Sequence, residues 1–551
     1  MRKSAIGSIA VASALVLAGC ASDSSSGEGG PSGGFQGSGG ITGGSGGGTA
    51  TGGTIATGGT IATGGTLATG GTLATGGTAT GGSNPATGGS ATGGERPTGG
   101  ASTGGDIGTG GVAASGGSAT GGGNPDTGGS ATGGETATGG AGTGGVTEKP
   151  PGTAQPGDVT VDPDTAHQTM DGFGIADVWQ GQNTSSAEQR TLFWDPDQGI
   201  GMSILRIGID ENGRIMGDAA FVEGPEVAKY GGKVWAAPWS PPASAKDNNN
   251  INNGGHLLTS AYESWATTLA AFPAYYKENT GEDLWGISAQ NEPDFVASYR
   301  SCIFSGSQMN DFLKVLGPKL KALDPPVHLI AAEPDVWSHT WNDGDRYGVA
   351  IEGDATVSEL VDIIATHDYG SNIQSTTRPS PPANSTHHLW QTEATYTGGA
   401  GIGPALDFAR CIYAAVTGGG ANGWVYWWTP EFMNGGSTSN PPKRVYAMGN
   451  FSKFVRPDYV RVDIAGAPSS VQIVAFSNPV DATLAIVALN SGNSSQEVSF
   501  FVSGTAWPGT VTPYVTSSSS NLEAGTPISV SDARFSGSLA GQSVTTFVGK
   551  P

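Results

Sequence analysis

Short apolar runs alternate with stretches of helical spacing between residues 202 and 428 of this 551-residue chain. The runs predict strands at residues 202–209, 234–238, 284–290, 327–332, 363–367, 388–392 and 424–428. Apolar residues recur with the helical period at residues 262–276, 309–323 and 405–416. Repeated strand–helix units of this length are typical of eight parallel strands closed into a barrel. We therefore expect an α/β fold, a (β/α)8 TIM barrel, over residues 158–456.

After Pro457 the period changes from that of helices to strict alternation of apolar and polar residues. Strands are predicted at residues 459–464, 471–477, 482–490, 497–502, 509–515 and 543–548, separated by Gly, Asn and Ser turns. This pattern indicates a small antiparallel β-sandwich over residues 457–551, associated with the side of the barrel. A run at residues 159–161 can add a strand to the sandwich and so tie together the two ends of the barrel region.

The N-terminal residues have another composition. Arg2 and Lys3 precede an apolar stretch, residues 5–18, that is too short to span a bilayer as a mature helix. The stretch ends in Leu17-Ala18-Gly19-Cys20, which resembles a bacterial lipobox. We expect residues 1–20 to be a lipoprotein signal peptide and Cys20 to be lipidated, which would anchor the protein to the bacterial membrane at the cell surface. The alternative is an ordinary signal peptide with a chance cysteine.

Residues 21–157 consist almost entirely of Gly, Thr, Ala and Ser. A hexad, Ala-Thr-Gly-Gly-Thr-Ile/Leu, repeats from Ala50 to Ala79 and then decays into irregular Thr-Gly-Gly units. This composition predicts a disordered linker, because too little apolar surface is available to offset the ordering of the chain. A small left-handed β-helix is the alternative reading of the hexads.

Charge and cysteine content narrow the possible partners. The net charge of −22 argues against nucleic acid or an anionic membrane surface, whereas a neutral polymer is a suitable substrate. Cys302 and Cys411 give neither a disulfide framework nor metal-ligand spacing, and are either free or joined in one bridge. The pairs His367-Asp368 and His387-His388 lack a third ligand. We expect a monomer with no metal and no cofactor.

Two predicted strands end in a glutamate. Residues 284–290 run into Asn291-Glu292-Pro293, and residues 388–392 run into Glu393. These are the third and sixth of the seven runs above, and with the eighth strand of the barrel placed before residue 202 they are its fourth and seventh strands. Barrel enzymes carry reactive side chains at these ends of their strands. Two carboxyls about 5–5.5 Å apart can cleave a glycosidic bond with retention, one as acid/base and the other as nucleophile. Glu333, in Ala332-Glu333-Pro334, imitates the first motif without the preceding Asn and is the second candidate for the acid/base.

The sequence around these glutamates resembles glycoside hydrolase family 30, which belongs to the clan with catalytic glutamates on barrel strands four and seven. The resemblance covers nearly all of residues 159–548. It rests on residues 168–174 (QTMDGFG), 199–206 (GIGMSILR), 237–242 (APWSPP), 288–294 (SAQNEPD), 389–393 (LWQTE) and 448–457 (MGNFSKFVRP). It implies that Glu292 is the acid/base and Glu393 the nucleophile.

The resemblance also implies roles for three neighbours of the glutamates. Asn291 would hydrogen-bond the 2-hydroxyl of the sugar. Arg206 would lie near the nucleophile and keep it ionised, since a nearby cation lowers the pKa of a carboxyl. Tyr369 would hold the nucleophile in place, unless it is only a buried aromatic bonded to backbone.

Flat aromatic rings stack well on the apolar faces of sugars. Five aromatics fall at or just beyond predicted strand ends and are candidates for lining a cleft, although tryptophan is as often a core residue. These are Trp179, Trp239, Tyr396, Trp427 and Trp428, of which Trp239 and Trp427 have the best motif positions.

Within the family, three segments look most like the xylanase subfamily: residues 246–249, residues 299–302 and the pair Lys443-Arg444. Many enzymes of that subfamily recognise a glucuronate branch through an arginine in the loop after strand eight. Here the loop, residues 429–436, has no arginine and carries Glu431, which would repel a uronate if it pointed into the cleft. The sequence therefore predicts a retaining endo-β-1,4-xylanase without strict dependence on glucuronate.

Two alternatives stay open. One is a β-1,6-galactanase or β-1,6-glucanase of the same family. The other is a non-catalytic surface lipoprotein that binds glycan, which the presence of both glutamates in full motif context disfavours.

Overall fold

The computed structural model describes residues 152–181, 185–372, 375–395, 398–504 and 509–550, together with two short strands, β1 (Thr54–Ala56) and β2 (Thr60–Ala62). These two strands pair antiparallel within a separate unit of the chain. The predicted signal peptide, Cys20 and nearly all of the predicted linker lie outside the described residues.

Eight parallel strands close into a barrel, which confirms the predicted fold class. In chain order they are β4 (Gly172–Ala176), β5 (Ile204–Ile209), β6 (Lys233–Pro238), β7 (Gly286–Ser288), β8 (His328–Ala332), β9 (Ile363–His367), β10 (His388–Glu393) and β11 (Gly423–Tyr426). Strand β4 lies between β11 and β5 and closes the ring. Its Gly174 is required by close packing, because a Cβ there would lie 1.8 Å from the carbonyl oxygen of Ile204.

Helices connect most of the barrel strands. They are α1 (Ala187–Trp194), α2 (Ala220–Lys229), α3 (Tyr262–Thr280), α4 (Gly306–Lys321), α5 (Ser338–Trp341), α6 (Tyr347–Glu352), α7 (Ala355–Leu360), α8 (Ile402–Thr417), α9 (Thr429–Met433) and α10 (Lys443–Ser452), with 3-10 turns at Ala243–Ala245 and Thr259–Ala261. Local sequence sets the ends of these helices. The side chain of Ser305 caps α4 by accepting a hydrogen bond from the backbone N–H of Gln308, and the side chain of Gln308 accepts one from the backbone N–H of Ser305. Helix α3 ends at Gly281, which has φ 83°.

The C-terminal region forms the predicted sandwich. Its strands are β12 (Val460–Ala465), β13 (Val471–Ser477), β14 (Leu484–Asn490), β15 (Gln496–Val502), β16 (Gly509–Thr516), β17 (Asn521–Ala524), β18 (Ile528–Val530), β19 (Arg534–Leu539) and β20 (Ser543–Gly549). The run at residues 159–161 belongs to β3 (Val159–Thr169), which pairs antiparallel with β12 and parallel with β15. The strand that precedes the barrel in sequence therefore lies inside the sandwich.

The last barrel helix joins the two layers. Asn450 on α10 donates to Tyr514 O and to Thr546 Oγ1, each at 3.0 Å. Lys443 Nζ, at the start of the same helix, lies 3.0 Å from Ser520 O and 2.6 Å from Asn521 Oδ1. Polar groups on one face of α10 thus fix the sandwich against the barrel.

The described residues settle the state of two cysteines. Cys302 and Cys411 are both buried and are not joined by a disulfide, so of the two alternatives left open by the sequence the bridge is wrong. In this part of the chain no helix combines the length and the apolar character needed to cross a membrane.

Candidate active site

The two strand-end glutamates lie together at the carboxyl ends of the barrel strands. Glu292 follows β7 and Glu393 is the last residue of β10. An oxygen of one carboxyl lies within 4.8 Å of an oxygen of the other. Both side chains are almost fully buried. This spacing suits a pair in which one carboxyl attacks a sugar carbon and the other protonates the departing oxygen.

Backbone contacts fix the position of Glu292. The N–H of Asn291 donates to Pro238 O at 2.9 Å and that of Glu292 donates to Glu333 O at 3.1 Å. Glu292 itself has φ 46°, in the left-handed region that non-glycine residues rarely adopt. The strain of this conformation is held by β6 and β8 on either side.

Arg206 connects Glu393 with Asn291, the residue before Glu292. Its guanidinium, fully buried on β5, places Nη1 2.5 Å from Glu393 Oε2 and Nη2 2.5 Å from Asn291 Oδ1. The same Nη2 lies 3.1 Å from Glu333 Oε1. Arg206 therefore lies beside Glu393, as the sequence predicted.

His367 is a site residue that the sequence did not reveal. Its Nδ1 lies 3.2 Å from Glu292 Oε1, and its Nε2 lies 3.6 Å from Glu333 Oε1 and 3.7 Å from Glu393 Oε2. Burial acts to lower the pKa of His367, but the negative charge of Glu393 and the bonds to the other carboxyls outweigh it and raise the pKa to about 10. The imidazole is therefore a cation near neutral pH.

The site thus contains three carboxyls and two cations. Burial acts to raise the pKa of Glu333, but the charge of Arg206 and the contact with His367 leave that pKa lowered. Burial raises the pKa of Glu393, and the charges of His367 and Arg206 act in the opposite direction. With Arg206 and His367 both charged, the net charge of the cluster is zero when two of the three carboxyls are ionised and the third is protonated. Acid/base catalysis needs one protonated carboxyl of this kind.

Glu333 occupies a different position from the other two glutamates. Its side chain is fully buried behind Arg206 and His367. A substrate in the cleft cannot reach this carboxyl, so its place in the site argues against Glu333 as the acid/base. It neutralises Arg206 instead.

Tyr369 holds the other face of the nucleophile candidate. Its hydroxyl donates to Glu393 Oε1 at 2.7 Å and lies 3.4 Å from Thr395 Oγ1. Thr395 Oγ1 in turn lies 3.2 Å from Glu431 Oε2. Thr395 had no signal in the sequence, because a single hydroxyl two residues past a strand end is not distinctive.

The aromatic candidates form one cluster near the pair. The ring centroid of Trp179 lies 5.6 Å from that of Trp239, 5.7 Å from that of Trp427 and 6.4 Å from that of Tyr299. Trp179 and Tyr299 are each 41% exposed, and their surfaces are available to a ligand.

The best-placed motif aromatic is not an open platform. Trp239 is 1% exposed, with Arg206 4.8 Å from its ring centroid and Trp179 on another side. Other side chains therefore cover the ring, and substrate binding by Trp239 stays a prediction. Trp428 donates its Nε1–H to Val178 O at 2.8 Å, and this bond fixes the indole ring to the backbone next to Trp179. The remaining candidate, Tyr396, lies outside the described residues.

One set of described residues has ligand atoms close enough to hold a metal ion: Glu292, His367 and Glu393, within 4.8 Å of one another. The guanidinium of Arg206 already binds Glu393, and the raised pKa of His367 keeps the imidazole protonated. Both charges oppose a bound cation. The arrangement fits proton transfer and nucleophilic attack better than metal binding.

The loop after β11 contains the short helix α9. Glu431, on that helix, receives an Arg444 Nη1–H at its backbone oxygen at 3.3 Å. Arg444 is buried and also donates to the carbonyl oxygens of Gly398 and Gly399. Two cations follow the loop. Lys443 therefore contacts the sandwich, and Arg444 binds backbone carbonyl oxygens.

Comparison with known proteins agrees with this geometry. Residues 226–378 match the glycosyl hydrolase family 30 TIM-barrel domain, and residues 460–547 match the family 30 beta sandwich domain. Glucuronoxylanase XynC of Bacillus subtilis (strain 168) is 32% identical over 408 residues, covering 71% of this chain and 91% of that protein. The chain belongs to glycoside hydrolase family 30.

Solved family 30 structures are also similar. The subfamily 8 xylanase Xyn30A from Clostridium acetobutylicum is 31% identical with a TM-score of 0.61, covering 72% of this chain and 100% of that one. A family 30 endoxylanase from Clostridium papyrosolvens C71 is 28% identical with a TM-score of 0.60 and the same coverage. The family 30 chain described here is accordingly a glycoside hydrolase.

Proposed function

We propose that this glycoside hydrolase is a retaining, endo-acting β-1,4-xylanase, with Glu393 as nucleophile and Glu292 as acid/base. The observation that carries the proposal is the approach of the two carboxyls to within 4.8 Å, with Arg206 and Tyr369 both bound to Glu393. Two donors on Glu393 stabilise its ionised form. Glu292 contacts His367 and is not bound to Arg206; as the partner of the nucleophile it takes the role of acid/base.

The first step forms a covalent intermediate. Glu393 attacks the anomeric carbon while Glu292 gives its proton to the leaving glycosidic oxygen. In the second step Glu292, now ionised, takes a proton from water, whose oxygen attacks the same carbon and releases Glu393. Two inversions leave the configuration retained.

Asn291 can bind the substrate because its orientation is already set. Its Oδ1 accepts from Arg206 Nη2, which turns the amide Nδ2 away as a donor. A hydroxyl next to the anomeric carbon is a suitable acceptor for that N–H, and such a bond strengthens in the transition state.

The choice of xylan is supported by the named activities of the relatives and by the exposed rings of Trp179 and Tyr299. Product analysis on glucuronoxylan, arabinoxylan, β-1,6-galactan and β-1,6-glucan tests it, with early products examined by NMR for their anomeric configuration. We expect β-configured xylo-oligosaccharides of mixed length. Products from a β-1,6-linked polymer alone would favour the other family activity, and no turnover of any polymer would favour a glycan-binding lipoprotein.

Dependence on glucuronate is not expected. Residues 429–442, which contain α9, have no Arg or Lys, and Lys443 and Arg444 are engaged elsewhere. Without a charge-assisted bond the preference for a decorated site falls by about 10–150-fold. Cleavage of unbranched xylo-oligosaccharides should then be comparable with that of branched ones. If every product instead carries one glucuronate, the cation comes from elsewhere, and Arg300, bound to Glu211 at 2.7 Å beside Tyr299, is the residue to replace.

Attachment to the bacterial cell surface through lipidated Cys20 is part of the same proposal. It is supported by the lipobox-like ending Leu17-Ala18-Gly19-Cys20 and by the Gly- and Thr-rich residues that follow. A surface enzyme would meet polymers too large to enter the cell.

A further inference from the structure

A chain of three oxygen–oxygen contacts leads from the nucleophile to the helix after the last barrel strand. Tyr369 Oη lies 2.7 Å from Glu393 Oε1 and 3.4 Å from Thr395 Oγ1, which lies 3.2 Å from Glu431 Oε2. Each hydrogen bond needs one proton between its two oxygens, so the number of protons decides which of the three contacts are bonds.

With Glu431 ionised, only two protons are available. The Tyr369 proton goes to Glu393 and the Thr395 proton goes to Glu431, which leaves the oxygens of Tyr369 and Thr395 facing each other without a proton. With Glu431 neutral, three protons fill three contacts in one direction: Glu431 donates to Thr395, Thr395 to Tyr369, and Tyr369 to Glu393. The neutral form satisfies every group.

The surroundings of Glu431 favour the neutral form. Burial raises the pKa of Glu431, and the charge of Glu393 on β10 acts in the same direction. The hydrogen bond with Thr395 and the charge of Arg444 on α10 act in the opposite direction, but the pKa of Glu431 stays raised. Arg444 donates to the backbone oxygen of Glu431 and to those of Gly398 and Gly399, and not to the carboxyl of Glu431. Burial and the nearby carboxylates also keep the pKa of Tyr369 well above its usual value, so its proton stays in place.

We propose that Glu431, as a neutral carboxylic acid, is a positioning residue that orients Tyr369 against the nucleophile Glu393 through the hydroxyl of Thr395. The inference rests on the proposed function, because it assumes that Glu393 is the nucleophile. It gives the glutamate after strand eight a role in setting the reactivity of Glu393.

The experiment measures the nucleophile alone. A 2,4-dinitrophenyl 2-deoxy-2-fluoro-β-xylobioside labels a retaining nucleophile covalently, and its leaving group needs no proton from Glu292. The rate of labelling is measured by intact mass from acid to alkaline pH, and the labelled residue is identified by peptide mapping. Variants are Glu431→Ala, Glu431→Gln and Thr395→Val. Glu226→Ala, which removes a half-buried carboxyl paired with Lys229 on α2, is the control for loss of a carboxyl.

Glu431→Ala and Thr395→Val should each slow labelling by about 5–30-fold, the effect of losing one orienting hydrogen bond. Glu431→Gln should recover most of that loss, since its amide N–H donates to Thr395 as the neutral acid does. The wild-type rate should fall as pH rises through the pKa of Glu431, whereas the rate of Glu431→Gln should not fall there. Thr395→Val combined with Glu431→Ala should be no slower than Thr395→Val alone.

The outcomes separate the two proposals. Labelling at Glu393 in the wild type, unchanged by all Glu431 and Thr395 variants, overturns the role of Glu431 and leaves the proposed function intact. A Glu431→Gln variant as slow as Glu431→Ala, with an unaltered alkaline profile, shows that a carboxylate charge is needed and also overturns it. Labelling of another residue, or no labelling of the wild type, overturns both.

Discussion

Arg206 Nη1 lies 2.5 Å from Glu393 Oε2, within a barrel interior where neither side chain is more than 4% exposed. The other terminal nitrogen of the same guanidinium reaches Asn291 and Glu333. One planar cation therefore fixes both the carboxylate proposed as the nucleophile and the amide proposed to bind the sugar.

Replacing Arg206 with Lys should separate these two tasks. An ammonium group is a single point of charge and cannot span both partners in the plane of a guanidinium. We expect kcat/KM to fall by about 10–150-fold, the effect of losing one charge-assisted bond, and the acidic limb of the pH profile to move upward. Arg214→Lys, whose cation lies 4.4 Å from the ring centroid of Tyr275, serves as the control and should change kcat/KM less than twofold. A wild-type profile in Arg206→Lys would contradict the proposed role.

The roles of the glutamates can be distinguished with azide. Glu292→Ala should lose activity on polysaccharide far more than on aryl glycosides with good leaving groups, and azide should restore turnover to a β-glycosyl azide. Glu393→Ala should be inactive, and azide should yield the α-anomer from activated substrates. Glu333→Ala should not show the leaving-group dependence of Glu292→Ala. The anomer is read by NMR, and the reverse pattern would mean that the acid/base has been assigned to the wrong glutamate.

A buried carboxyl beside the cleft should make folding stability depend on pH. Asp177, which follows β4, is 2% exposed; its Oδ1 has no hydrogen-bond partner among the described residues, and burial raises its pKa to about 8. Because the folded pKa exceeds the unfolded one, the contribution of Asp177 to stability is complete below about pH 4 and is lost as pH rises toward 8. Asp177→Asn should therefore have a Tm close to wild type near pH 4 and an increasingly higher one up to pH 8.

Thermal unfolding of both proteins across that pH range is the measurement. Asp283→Asn, which removes an exposed partner of Lys277, is the matched control and should show no such widening. A constant difference in Tm between Asp177→Asn and wild type would mean that Asp177 is ionised in the fold throughout.

Lipid attachment predicts how the protein partitions. Wild type expressed with its own N-terminus in a bacterial host should enter the detergent phase, and Cys20→Ser should remain in the aqueous phase, because the acyl chains supply the membrane affinity. Mass spectrometry of the N-terminal peptide checks for the diacylated cysteine. A wild-type protein recovered unacylated from the aqueous phase contradicts the anchor.

Sequence patterns were sufficient where a strand is apolar and its end is marked. The strands before Glu292 and Glu393 were found from their apolar residues and from the glutamate motifs at their ends, but numbering them fourth and seventh required one more strand before residue 202. Strand β4 was not among the predicted runs because Gly172 and Gly174 interrupt it, and its glycines are required by contact with β5. Strands β17, β18 and β19 were missed because they are short or carry many small and polar residues.

The contacts of His367, Thr395 and Glu431 could not be read in the same way. These residues are distant from Glu292 in the sequence, and their ordinary side chains acquire their roles only when β9, β10 and α9 meet at one end of the barrel. For Trp239 the sequence marked the residue but did not predict its exposure. Its motif marked it as important, but whether its ring is open or covered depends on Arg206 and Trp179.

The placement of β3 would have a mechanical consequence under the proposed attachment to the cell surface. Any tension on residues before Gly152 reaches the fold at Asp158, whose carboxylate is held by Arg534 Nη2 at 2.6 Å, and then passes along β3. Because β3 lies between β12 and β15, the load is shared in shear by ladders on both of its edges. The barrel strands that lead to Glu292 and Glu393 belong to the other sheet and do not pair with β3. Drag on a cell moving past an insoluble polymer would strain the sandwich first, and the spacing of the two carboxyls would be protected from it.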